Sequence, residues 1–311
     1  MDFEVVMVDN ASKDVSLEFV KNRFPEVRIV PSETNLGFAG GNNLGLEHCR
    51  GEYVFLLNND TRLEPRALEN LAYAIFLHPQ IHVFACFMLN FNNPELVDSA
   101  GDTLYTTGVT FSFRGFPVSN FLEERFVTSA CAGAAVYTRE LLEQLKGFDE
   151  DFFLLLEDVD LSLRAQHRGE SILFLPSVKV FHKGSATLGG VQSPVSFYYV
   201  ERNFLWLLLK NYPWPSLADT LPRYLVIKIL RFFHAVRFRC VGKYFRANWD
   251  SLKGIKSMLG KRHVILGNSR ISSRKFKSLL RRGWLKERIA LFFGRQSGFS
   301  LPTKVHTKLE R

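Results

Sequence analysis

The stretch YVFLLNND, residues 53–60, sets five apolar residues directly against two asparagines and an aspartate. Five consecutive apolar residues fit a short strand buried on both faces, as in sheets covered by helices, and the abrupt polar end marks its carboxyl edge. Toward the N-terminus, Gly40-Gly41 leads a helical stretch that stops at Gly51, and VRIV at residues 27–30 is a strand candidate. Residues 13–24 carry Val15 and Phe19 at helical spacing, and EVVMVD at residues 4–9 is a β-branched run ending in polar residues. Strand, helix, strand, helix, strand is the pattern of right-handed βαβ units in a parallel sheet, whose ligands sit at the carboxyl ends of the strands. Asp9-Asn10 and Asn58-Asn59-Asp60 both lie at such ends. Asn and Asp also make good turns and caps, which suffices for Asp9. It does not suffice for the triplet, because Pro65 already opens the next helix.

The second half raises a different question. In FFLLLEDVDLSLRAQHRG, residues 152–169, the acids Glu157, Asp158 and Asp160 follow five bulky apolar residues and precede a helical run that Gly169 stops. Acids complement the dipole in a first helical turn. One is explained that way, whereas three crowded beside an apolar wall cost free energy unless a cation or a reaction needs them. Residues 127–137, VTSACAGAAVY, are mostly small and allow close approach of backbone or ligand. Residues 139–146 read as a helix stopped by Gly147, and residues 172–175 and 178–181 as short strands around Pro176, the second running into His182. Residues 90–124 read as an irregular insertion, a candidate lining for an acceptor site. From Pro194 onward long helical patterns take over.

With 311 residues and 46% hydrophobic content the chain can bury a substantial core. Its four cysteines form no CxxC pair, so neither a zinc knuckle nor a disulfide framework is signalled and a reducing cytoplasm is expected. No signal peptide opens the sequence, and no apolar run approaches the ~18 residues of a membrane span. The net charge of +9 hides a division: residues 1–222 carry 17 Lys and Arg against 28 Asp and Glu, and residues 223–311 carry 23 against 3. An acidic body with a basic tail points to a tail that meets phosphate, on lipid or nucleic acid. In LVIKILRFFHAVRFRCVGKYF, residues 225–245, aromatic and aliphatic residues recur among the cations, which suits the anionic inner face of a plasma membrane. No nucleic-acid motif accompanies the charge, so that partner is not expected.

Five stretches in order, VVMVDNASKD, NLGFAGGNNLG, YVFLLNNDT, the segment from Cys131 to Gly169, and VFHKGSAT, together resemble the inverting nucleotide-sugar enzymes of glycosyltransferase family 2, especially its rhamnosyltransferase-like branch. The resemblance implies an α/β fold of GT-A type, a Rossmann-like, mostly parallel sheet flanked by helices. It implies a catalytic domain over residues 1–211 and leaves residues 212–311 as a basic, helical, membrane-associating region. A sugar, rhamnose-like, would pass from a nucleoside diphosphate to a lipid-linked or polysaccharide acceptor, with Mg²⁺ or Mn²⁺ as cofactor. Asn58-Asn59-Asp60 occupies the family's metal-binding DXD position, with Asn in place of its first Asp. Asp60 and His182 would then hold the metal and Asn58 lie near the ribose. Asp158 matches the general base, with Glu157 beside it and Asp160 as an anchor, while Asp9, Asn35 and Asn42 fall in the donor crevice. The family also has an earlier strand, expected between residues 4–8 and 53–57; either the chain begins after it or the fold closes differently.

Two other readings compete. A dinucleotide oxidoreductase is disfavoured because GFAGGNNLG lacks GxGxxG spacing and follows the wrong strand. A truncated, non-catalytic relative that binds a membrane polysaccharide-assembly complex is the alternative.

Overall fold

The computed structural model describes residues 2–184 and 193–284, so the end of VFHKGSAT and the last residues of the basic tail lie outside it. The first elements alternate as expected: β1 (Val6–Asn10), α1 (Ser16–Arg23), β2 (Arg28–Ser32), α2 (Gly37–Leu46) and β3 (Tyr53–Leu57). There follow β4 (Thr61–Leu63), α3 (Ala67–Leu77), β5 (Val83–Asn90), β6 (Val97–Ser99), β7 (Thr103–Leu104), β8 (Thr110–Phe111), β9 (Arg125–Val127) and β10 (Ala134–Thr138). Helices α4 (Arg139–Leu145) and α5 (Glu157–His167) lead to β11 (Ile172–His182), and five helices close the described chain. These are α6 (Pro194–Asn211), α7 (Trp214–Arg237), α8 (Val241–Lys253), α9 (Ile255–Gly267) and α10 (Ser273–Leu279).

The α/β class holds, but the sheet is mixed and not mostly parallel. Its main path runs β3-β10-β5-β11-β4, with β6 on β5 and β9 on β11. Only β5–β11 is parallel within it; β10 runs antiparallel to both β3 and β5, and β4 and β9 run antiparallel to β11. Strands β1 and β2 form a separate parallel pair. Neither β1 nor β3 pairs with the other, and each keeps one edge that no described strand covers. The two short strands expected around Pro176 are one strand, whose register shifts between Leu175 and Lys179 and so absorbs the missing proline N–H.

Strand β5 shows why the sheet is central. Val83, Ala85, Phe87 and Leu89 face one apolar cluster, and Phe84, Cys86 and Met88 face another, as the period of two requires. A third cluster joins Leu104, Phe152, Val159 and Leu163 to Phe204, Leu207, Leu217, Met258 and Phe276, so the C-terminal helices share a core with the acid-bearing segment.

Candidate active site

The five apolar residues before the acids form a constrained turn. Phe153, Leu155 and Leu156 all have left-handed φ values, +61°, +66° and +70°. Non-glycine residues hold this conformation at a cost of about 1–3 kcal/mol each when the surroundings over-determine it. Asn203 on α6 does so: its side-chain N–H groups reach the carbonyls of Phe152, Leu154 and Leu155 at 2.9, 2.9 and 2.7 Å. Arg202 donates to the carbonyls of Asp151 and Phe152 at 2.8 and 2.7 Å. From the other side, the N–H groups of Phe38 and Ala39 at the start of α2 donate to the Phe153 carbonyl at 2.7 and 3.2 Å. Gly37 makes this contact possible, since a Cβ there would lie 2.5 Å from the same carbonyl oxygen.

The turn releases the chain into α5 with the three acids in its first turn, where they take different roles. Asp160 is fully buried; its Oδ2 accepts from Arg164 Nε and Lys210 Nζ, both at 2.8 Å, and its Oδ1 from Asn211 at 2.9 Å. Burial alone would raise its pKa, but the two cations and the amide pull it down to about 2. It is the anchor expected from the sequence. Asp158 accepts from the backbone N–H groups of Ala132 and Val159 at 3.2 and 2.8 Å. Glu157 is buried and its Oε2 has no hydrogen-bond partner. Burial raises Glu157, reinforced by the Asp158 charge; burial also raises Asp158 against the pull of its backbone donors. The small residues Cys131 to Ala135 let this approach happen, and Gly133 accepts from the Asn58 N–H at 3.1 Å. One short backbone segment therefore touches both the Asn58 end of β3 and Asp158.

Beyond Asn58, His182 at the end of β11 stands between two carboxylates. Its Nδ1 is 2.7 Å from Asp98 Oδ2 and its Nε2 is 3.1 Å from Asp60 Oδ1. A carboxylate only accepts, so Nδ1 carries a proton and Nε2 is left with its lone pair facing Asp60 in the neutral ring. Nε2 is buried and makes no aligned hydrogen bond. Arg114 pairs with Asp98 through Nε at 3.1 Å. Burial pushes His182 down, yet the Asp98 hydrogen bond and the charges of Asp98 and Asp60 outweigh it and the imidazole lies above its ordinary value.

Two residues here were missed by sequence reasoning. Asp98 and Asp102 sit in VDSAGD within the segment read as an irregular insertion, and both are buried. Asp102 is raised to about 8, by burial first and then by the Asp158 charge. The available signal was two acids four residues apart with only the small residues Ser99, Ala100 and Gly101 between them. At the carboxyl end of β1, Asn35 Oδ1 accepts from Gly37 N–H at 2.9 Å and from Asn10 at 3.2 Å, and Asn10 Oδ1 takes the Leu36 N–H at 2.8 Å. Asn10, not Asp9, thus ties β1 to α2. Asp9 accepts from Ser12 N–H at 3.1 Å in the following turn, and Asn42 turns back to the Phe38 carbonyl at 2.9 Å.

Residues 1–146 match the family model "Glycosyl transferase family 2". The chain carries a glycosyltransferase family 2 domain. The chain is 27% identical over 218 residues, 64% of its length, to "O-antigen biosynthesis protein RfbC" of Myxococcus xanthus, covering 16% of that protein. It is 23% identical over 233 residues, 67% of the chain, to "N-acetylglucosaminyl-diphospho-decaprenol L-rhamnosyltransferase" of Mycobacterium tuberculosis, covering 74% of that protein. Among solved structures, "S. aureus TarS 1-349 in complex with UDP-GlcNAc" aligns over 89% of this chain and 83% of its own, with a TM-score of 0.53 at 18% identity. The glycosyltransferase domain shares the GT-A fold with such structures.

Proposed function

We propose that the domain is an inverting glycosyltransferase that moves a rhamnose-like sugar from a nucleoside diphosphate to a hydroxyl of a lipid-linked or polysaccharide acceptor. The observation that carries this reading is the His182–Asp60 approach at 3.1 Å, with an orphaned buried Nε2 beside a carboxylate. Asp60 and His182 would hold an Mg²⁺ or Mn²⁺ ion, which when bound would neutralise the charge of the departing diphosphate. Among the described residues no three His, Cys, Asp or Glu side chains form a metal cage by themselves. Asp98 holds the His182 ring in the tautomer that presents Nε2. Asp158 accepts the proton of the acceptor hydroxyl; that oxygen bonds to the anomeric carbon from the face opposite the diphosphate, which departs with the electrons of the broken bond. Burial raises Asp158 and so makes it a stronger base. Glu157 stands beside it, while Asn58, Asn35, Asn42 and Asp9 line the donor crevice.

The decaprenol-linked substrate named for the Mycobacterium tuberculosis relative supports a lipid-linked acceptor and a protein working at the inner face of the plasma membrane. A second reading, a chain that binds a membrane polysaccharide-assembly complex without turnover, draws on the uncovered edges of β1 and β3. Release of nucleoside diphosphate from dTDP-rhamnose or a UDP-sugar, with and without Mn²⁺, decides between them. Cation-dependent release supports the transferase, and none with any donor sinks it.

A further inference from the structure

Helix α7 turns two of its cations inward and an apolar stripe outward. The side that packs against the body carries Tyr224, Ile227, Lys228, Arg231 and Ala235, and both Lys228 and Arg231 pair with the fully buried Glu201 of α6. The solvent side carries Leu225, Ile229, Phe233 and Val236, spaced i, i+4, i+8, i+11, at 61%, 58%, 63% and 49% exposure. Water-soluble helices place such a stripe against the core. Helix α8 repeats the arrangement with Phe245, Trp249 and Leu252, 58%, 63% and 54% exposed at i, i+4, i+7. Phe232 contacts the rings of Tyr244 and Phe245 at 5.7 and 6.1 Å, which sets the two helices side by side. A contiguous exposed apolar surface of this kind marks an interaction site.

The charge around it selects the occupant. Residues 223–284 contain 17 Lys and Arg and a single acid, Asp250. Arg237, Arg239, Lys243, Arg246 and Lys253 are all exposed at the margins of the two stripes. A second copy of the chain would bring like charges together, and a nucleic acid has no use for Leu225 or Ile229. An anionic bilayer uses both parts, since acyl chains receive the apolar side chains and headgroups the cations. Among the described residues no helix is long and apolar enough to cross a membrane, so the helices would lie on it.

We propose that the solvent faces of α7 and α8 form a docking surface for an anionic lipid bilayer; resting on the transferase reading, this brings the active site to a lipid-linked acceptor. The test is sedimentation of the full chain with phosphatidylcholine vesicles, alone or containing phosphatidylglycerol. Wild type binds the anionic vesicles at least about tenfold more tightly than the neutral ones and is released by about 0.5 M NaCl. The solvent-face variant Ile229→Ser/Phe233→Ser/Trp249→Ser keeps the wild-type melting temperature and loses binding by roughly tenfold or more. Arg246→Glu/Lys253→Glu loses the preference for anionic lipid. Equal binding to both vesicle types, binding to neither, or undiminished binding by the triple variant overturns the proposal. So does a wild-type dimer that the triple variant splits while vesicle binding stays unchanged. Nucleoside diphosphate release is measured in parallel in solution: its absence with vesicle binding retained removes the transferase reading and leaves the surface standing.

Discussion

His182 shows how far single residues carry the account. After a strand, a lone histidine is ordinarily structural; with one nitrogen on Asp98 and the other turned to Asp60, this one is placed for the metal role proposed above. Asp98→Asn should weaken Mn²⁺ affinity by about 10- to 100-fold, because a neutral amide accepts the Nδ1 proton more weakly than a carboxylate and makes the ring a poorer ligand. Calorimetric titration of the metal checks this, and an affinity within twofold of wild type contradicts it. Asp158→Asn should lower turnover by on the order of 10² to 10⁴ with donor affinity nearly unchanged, since the amide keeps the shape and cannot take the proton. Steady-state rates with Glu157→Gln alongside settle the assignment: a larger loss at Glu157 would exchange their roles. The Asp60, His182 and Glu157-Asp158 positions were legible as motifs. Asp98 was not, because it meets His182 across 84 residues of sequence through β6 and β11, which border β5 on opposite edges.

At the scale of elements, α6 and α5 are joined through the buried Asp160. Asp160→Asn, which leaves Lys210 and Arg164 facing a neutral group, should destabilise the fold by about 3–5 kcal/mol in urea titrations at neutral pH. The pH sign follows from the depressed value: Asp160 stabilises the fold fully above its unfolded pKa near 3.8, and that contribution is lost as pH falls from there through about 2. A wild-type advantage over Asp160→Asn that stays constant down to about pH 2 would contradict this linkage. Asn203 acts on the neighbouring turn. Asn203→Ala should release the left-handed residues 153, 155 and 156 and lower turnover while leaving Mn²⁺ affinity unchanged, as read from rates and metal titration on one preparation. Loss of metal binding as well would point to general unfolding. Helices α5 and α6 were each visible in the sequence, but their junction was not, because side chains 50 residues apart must pair before it exists.

Across the whole molecule, the alternation through residue 57 was legible because local periodicity determines it. The mixed sheet was not, since strands of two to five residues such as β6 to β10 acquire direction only from their partners. The basic tail was legible as charge, and its helices as amphipathic, but periodicity alone does not say which side of α7 meets the core. Buried ion pairs at Glu201 decide that. The structure draws these levels together at one place, where Asn58, Gly133, Ala132 and Asp158 connect the strand end that bears Asp60 to the acid-bearing turn. The most direct measurement of that arrangement is nucleoside diphosphate release by wild type and Asp60→Ala, each in EDTA and after Mn²⁺ is restored. Wild type should fall to background in EDTA and recover with Mn²⁺, and Asp60→Ala, folded by its melting temperature, should remain at background in both. Undiminished release by Asp60→Ala in EDTA would contradict it.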